Sequence, residues 1–188
     1  MELLRRILSR TAPALDADIQ DAPGSSLHAI KRKRAATGCE LMAHIYRYAE
    51  RRFLVTSIMW VPGSVILETG EPSVLPIDVA DADLGRTVCE HLLAHDARQP
   101  GDLRDRKATD WAAYRASGAR SVKSFESNSW QVTVETINLV LNVEAYPVRS
   151  SHAQICVKGV VGPLYEELGA TIRRTISAAA VLRQAGLV

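Results

Sequence analysis

His91 and His95 stand four residues apart, a spacing that puts two imidazoles on one face of a helix and lets them share a metal ion. Cys89, Glu90 and Asp96 lie beside them. From Glu90 to His95 the chain reads Glu-His-Leu-Leu-Ala-His, so no Glu follows the first His as the zinc-protease pattern requires. A third ligand would have to come from a distance, with Cys156 or His152 as candidates. The other reading is a pair of histidines near a helix C-terminus, where a protonated imidazole is favoured by the dipole. The residues favour that second reading, and no metal or other cofactor is expected.

Other chemistry is sparse. There is no Gly-x-x-x-x-Gly-Lys-Ser/Thr phosphate loop and no Gly-x-Ser-x-Gly elbow. Gly85 and Gly169 stand alone, so no dinucleotide fingerprint exists. Asp102, Asp105 and Lys107 have the residue types of a nuclease cluster but fall in a loop, where a solvated, salt-bridged role is expected. Trp111 and Tyr114, three apart, read as a core anchor rather than a ligand stack. The basic run 31–34 is a candidate phosphate patch. Lacking interleaved aromatic residues, it reads instead as a solvated segment at the start of a strand. No nucleophile, base and orienting group can be assembled, so no catalytic residue and no enzyme activity are expected.

Composition sets the frame for these residues. A chain of 188 residues, 47% hydrophobic and 23% charged, suffices for one well-packed domain. The net charge of +2 gives little support to direct nucleic-acid binding. No apolar run approaches the roughly 20 residues of a membrane span, and the opening residues lack a signal-peptide core. A cytoplasmic location is expected. Cys39, Cys89 and Cys156 are odd in number and far apart, as reduced thiols would be.

The elements follow from periodicity. Residues 2–9 suit a short amphipathic helix, and 11–26, with Pro13, Pro23 and Gly24, a linker. Residues 1–35 are therefore set apart from a single domain at 36–188. Leu41, Ala43 and Ile45 alternate with Met42, His44 and Tyr46, which predicts a strand covered on both sides. Strands are also expected at 53–60, 64–69, 74–79, 130–137, 139–148 and 153–158. A turn is expected at 70–72. Helices are expected at 81–97 with Asp81 as N-cap, at 110–117 stopped by Gly118, at 121–126, and at 164–184. The order is strands then helix, twice, with a helical insert between. That pattern predicts an α+β domain, an antiparallel sheet with helices packed on one side.

The two long helices carry an echo. Asp83-Leu84-Gly85-Arg86-Thr87-Val88 matches Glu167-Leu168-Gly169-Ala170-Thr171-Ile172, and Leu84 and Leu168 are 84 residues apart. Glycine inside a helix costs about 1 kcal/mol relative to alanine. Two at one place suggest that a side chain there would block close packing. The order runs from the first Leu-Gly helix through 110–114 (Asp-Trp-Ala-Ala-Tyr) and 118–125 (Gly-Ala-Arg-Ser-Val-Lys-Ser-Phe) to paired strands and the second Leu-Gly helix. It resembles the immunity proteins of bacterial contact-dependent growth inhibition systems, of the CdiI type, over roughly 65–184.

The resemblance implies a non-catalytic protein whose partner is the toxic C-terminal domain of a delivered effector, commonly a nuclease. An inhibitor of a basic cleft is expected to present acidic surface. The chain's acids concentrate at the helix starts: Asp78, Asp81 and Asp83 before the first, Glu166 and Glu167 before the second. If those starts lie side by side, the five make one toxin-facing patch. Ordinary helix-start carboxylates matched to the dipole are the competing account. Two other functions remain open, a metal-dependent enzyme near His91 and His95 and a nucleic-acid or oligomeric adaptor using 31–34.

Overall fold

The computed structural model describes residues 26–61, 65–97, 107, 110–137, 140–145, 156–162 and 164–186. In chain order the elements are helix α1 (Ser26–Thr37), strands β1 (Met42–Tyr48), β2 (Arg52–Val61) and β3 (Val65–Pro76), helix α2 (Asp81–Leu93) and the two-residue strand β4 (Asp96–Ala97). The short helices α3 (Ala112–Ser117) and α4 (Val122–Ser127) follow. Strands β5 (Ser129–Ile137), β6 (Val140–Ala145) and β7 (Val157–Val161) lead to the last helix, α5 (Tyr165–Gln184).

Six strands form one antiparallel sheet in the order β3-β2-β1-β5-β6-β7. That order is a palindrome of two halves. Each half is three strands followed by a long helix, and β1 pairs with β5 at the centre, Ile45 opposite Val132. Short connections join β1 to β2 to β3 and β5 to β6, which is what antiparallel neighbours permit, whereas eleven residues separate β6 from β7. β2 runs on past the end of β1, and there β4 pairs with it in parallel at Met59 and Trp60.

Alternation sets the two faces. Leu41, Ala43 and Ile45 of the first half, and Val132, Val134 and Val143 of the second, point to one face and are fully buried. Onto that face pack α2, through Leu84, Val88 and Leu92, and α5, through Leu168, Ile172 and Ile176, all at 0% exposure. Spacing of four residues puts each trio on one helix face. Burying each such side chain contributes about 1.5–3 kcal/mol.

The echoed glycines lie where the two helices cross. A Cβ added at Gly85 would stand 2.7 Å from the carbonyl carbon of Tyr165, and closer still to its oxygen. A Cβ added at Gly169 would stand 2.7 Å from the carbonyl carbon of Asp81, again closer to the oxygen. Tyr165 and Asp81 are the first residues of their helices, and each glycine lies four residues after its own helix start. The contacts are reciprocal, as expected of two helices related by an approximate two-fold axis through the β1–β5 pair. Arg173 of α5 reinforces the crossing. It meets the Asp81 carboxylate at 2.6 Å and also donates to the carbonyls of Ile77 (2.7 Å) and Val79.

The helical insert breaks the symmetry. α3 and α4 lie on the other face, where Tyr46, Leu54, Ala113 and Phe125 form a second, smaller core with Trp111 and Tyr114 packed against it. Gly118 closes α3 with φ of 71°, and the Ser121 hydroxyl caps α4 by accepting from the Ser124 N–H at 3.1 Å.

Several local expectations give way. Residues 31–34 are helical in α1, not the start of a strand, and Arg34 pairs with Glu40. That helix spans Ser26–Thr37, and its Ile30 is buried in the main core. The strands expected at 64–69 and 74–79 are not separate. They join as β3 because Gly70-Glu71-Pro72 forms a bulge opposite Val55–Ser57 rather than a turn. The helix expected at 81–97 stops at Leu93, since His95 turns to bond the Met42 backbone. Asp81 is its first residue rather than its cap, the cap position being Ala80. The proposed helix at 2–9, the linker expected at 11–26 except Ser26 (the first residue of α1), most of the charged loop (Asp102 and Asp105 included) and His152 lie outside the described residues.

Candidate functional site

One carboxylate dominates the insert side of the sheet. Glu68 lies on β3 directly across from Ile58, so its side chain points under α3 and is only 6% exposed. Its Oε1 accepts the Tyr46 hydroxyl at 2.5 Å and faces His44 Nδ1 at 3.4 Å. Its Oε2 accepts the Ala113 N–H at 2.9 Å, and Trp111 bonds it as well. Burial pushes the carboxyl's pKa up. The hydrogen bonds from His44, Tyr46, Trp111 and Ala113 outweigh it, and the net effect holds Glu68 below its ordinary value. Glu68 is therefore an anion inside the protein at neutral pH, and it also ties the insert to the sheet.

This network forms one wall of an open cleft of about 500 Å³ between the sheet and the insert. Glu126 of α4, Gln131 of β5, Ile66 of β3 and Lys107 complete much of its lining. No motif marks Glu68 in the sequence. A signal was available, because a Glu directly after Val65-Ile66-Leu67 interrupts an apolar run inside a strand.

The histidine pair resolves into two separate roles. His91 is buried between two serines, with Nδ1 2.7 Å from Ser57 Oγ and Nε2 2.9 Å from Ser73 Oγ. Both ring nitrogens are thereby engaged. His95 accepts the Met42 N–H at Nδ1, 3.3 Å away, which leaves Nε2 as its N–H, turned to Cys39 Sγ at 3.8 Å. In that tautomer His95 is a donor toward the sulfur, not a base for it. Cys156 is the residue before β7, far from the pair and hydrogen-bonded to Glu144, with its thiol pushed up by desolvation and by that carboxylate. Among the described residues no group of three His, Cys, Asp or Glu is placed to hold a metal ion.

Burial lowers the pKa of His91 below its ordinary 6.5. The unfolded state then binds the proton more readily, so stability rises with pH across the window between the two values and is lost as pH falls below about 6.5. We expect the urea midpoint to drop between pH 7 and 5.5, and the drop to shrink in His91→Gln. An equal drop in that variant would place its cause elsewhere.

The helix starts do lie side by side, as the crossing at Gly85 and Gly169 requires. Asp78, Asp83, Glu166 and Glu167 are exposed there. Two of the five acids are already paired. Asp81 is held by Arg173, and Asp83 bonds Arg86 at 3.1 Å, whose guanidinium also sits over the Tyr165 ring at 5.7 Å. The surface is a mixture of both signs, more acidic at Asp78, Glu166 and Glu167.

No helix among the described residues is long and apolar enough to cross a membrane. No family model and no curated protein matches the sequence. Solved structures do match the fold. A protein of unknown function from Neisseria meningitidis superposes with a TM-score of 0.56 at 17% identity, over 74% of this chain and 95% of that one. A chain of the CdiA-CT/CdiI toxin and immunity complex from Yersinia pseudotuberculosis superposes with a TM-score of 0.54 at 12% identity, over 74% of this chain and 97% of that one. At these identities the shared property is the fold, and it spans nearly all of both neighbours.

Proposed function

We propose that the chain is an immunity-type inhibitor. It is a non-catalytic cytoplasmic protein that binds the toxic C-terminal domain of a contact-dependent growth inhibition effector and blocks it. The observation that carries this reading is the fold shared with a chain of a toxin and immunity complex over 97% of that chain. His91 and His95 support it, since both rings are engaged in bonds within the chain. The toxin domain is taken to be a nuclease, whose basic cleft would meet acidic surface.

The acidic surface offered for the contact is the paired helix starts with Asp78, Asp81, Asp83, Glu166 and Glu167, of which Asp81 and Asp83 are shared with Arg173 and Arg86. A complex of standard size would bury about 1,600 Å² in total. Co-expression with the toxin domain of the effector encoded beside it should restore growth to cells that the toxin alone arrests. If growth stays arrested while the chain is expressed and folded, the reading fails.

A further inference from the structure

Both long helices begin without a side-chain cap. Leu164 holds the N-cap position of α5 and Ala80 that of α2, and neither side chain caps its helix. Leucine is among the residues least suited to that position, because it offers no oxygen to the free N–H groups of the first turn. The Leu164 carbonyl accepts from the Leu168 N–H at 2.9 Å, as an N-cap carbonyl does, so only the side chain is out of place. That side chain is 62% exposed. A single exposed leucine is ordinary on a protein surface. This one stands where two helices cross. Glu166 and Glu167 follow it, and the reciprocal contacts of Gly85 and Gly169 bring the start of α2, with Ala80 and Asp78 ahead of it, to the same place. Asp78, Glu166 and Glu167 are exposed, and among the described residues none of the three is in an ion pair or a side-chain hydrogen bond. Apolar side chains among exposed charges are the anatomy of an interface, an apolar centre within a polar rim.

Resting on the reading of the chain as a toxin-binding protein, we infer that Leu164 is the apolar anchor of the toxin contact, set in the acidic surface of the paired helix starts. The acids fix the chemistry of the partner. Its matching surface is basic, with an apolar depression for the leucine, since any other surface would cover Asp78, Glu166 and Glu167 without a counter-charge. The acids and the leucine then act on different steps. Rim acids speed the encounter, whereas burying the leucine removes apolar area from water and slows dissociation. Leucine in place of a capping serine or aspartate costs the free chain stability, as residues kept for contact do.

The test is a change whose effects on folding and on binding have opposite signs. Leu164→Ser supplies a hydroxyl that can accept from the Glu166 or Glu167 N–H, so the thermal midpoint of the full chain should rise by about 2–4 °C. The same change should weaken binding of the neighbouring toxin domain by at least about tenfold, through faster dissociation in surface plasmon resonance. Val181→Ser is the control. Val181 is also 62% exposed and lies on the same helix, about 25 Å further along its axis, and its loss should change binding by less than about threefold. The double variant Glu166→Gln, Glu167→Gln should slow association at low salt and leave dissociation within about threefold of the wild type. Undiminished binding by Leu164→Ser, or an equal loss from Val181→Ser, overturns the anchor and leaves the function standing. A thermal midpoint that falls in Leu164→Ser makes the residue structural and also overturns it. Unchanged association in the double variant overturns the basic partner surface. If the wild type itself binds no toxin domain, the function fails, and the anchor with it.

Discussion

Gly85→Ala should destabilise the protein by about 2–3 kcal/mol, and Gly169→Ala by a similar amount, lowering the thermal midpoint by several degrees each. The sign is the informative part. Elsewhere in a helix the same change stabilises by about 1 kcal/mol, because alanine is the better helix former. Here the new methyl group meets the backbone of the crossing helix, at Tyr165 for one glycine and Asp81 for the other. A backbone carbonyl cannot rotate aside as a side chain can, so α2 and α5 must separate and loosen the packing around Leu84 and Leu168. One separation accommodates both methyl groups. The double variant should therefore cost less than the sum of the singles, a coupling expected of neighbouring sites. Chemical denaturation of the three variants decides it. A gain in stability from either single change would remove the reciprocal crossing from the account.

Glu68→Ala should cost about 3 kcal/mol or more, because it strands the Ala113 N–H and the Tyr46 hydroxyl in a buried place and loosens the insert. Glu68→Gln is the finer probe. The carboxamide has the same shape but sets an NH₂ against one of the surrounding donors, so it too should destabilise, by about 1–3 kcal/mol. The pH dependence carries a sign as well. Glu68's pKa is lower in the folded state than its ordinary 4.5. Its stabilisation is therefore complete above about pH 4.5 and is lost as pH falls from there through the folded value. Denaturation between pH 6 and 3 should show a steeper acid loss in the wild type than in Glu68→Gln. Parallel curves would mean that the carboxylate is not held ionised by its neighbours.

Much of this architecture can be read before any coordinates exist. The matched Leu-Gly segments disclose two helices with one role, and strict alternation at 41–46 assigns the faces of β1 correctly. Local signals fail where a tertiary partner decides the outcome. Gly70 and Pro72 look like a turn, yet β2 pairs on both sides of them and makes them a bulge. His91 and His95 look like ligands on one helix face. Serines on β2 and β3 take one, and the Met42 N–H with Cys39 takes the other.

The candidate site was less legible than the fold. The helix-start acids are visible as a cluster, but Arg173 lies 92 residues from Asp81, and only folding reveals that it neutralises one of them. Glu68 is harder still, since its partners His44, Tyr46, Trp111 and Ala113 are contributed by β1, by α3 and by the residue just before α3. A carboxylate inside an apolar strand marks a place that needs donors, but the sequence does not say which residues supply them.

Calorimetric titration of the purified chain with the toxin domain encoded beside it is the sharpest test of the proposed binding. We predict a one-to-one complex with a dissociation constant of about 10⁻⁷ M or tighter, in line with a standard-sized specific interface. A titration with no binding at concentrations of about 10⁻⁵ M, from two folded components, would contradict it.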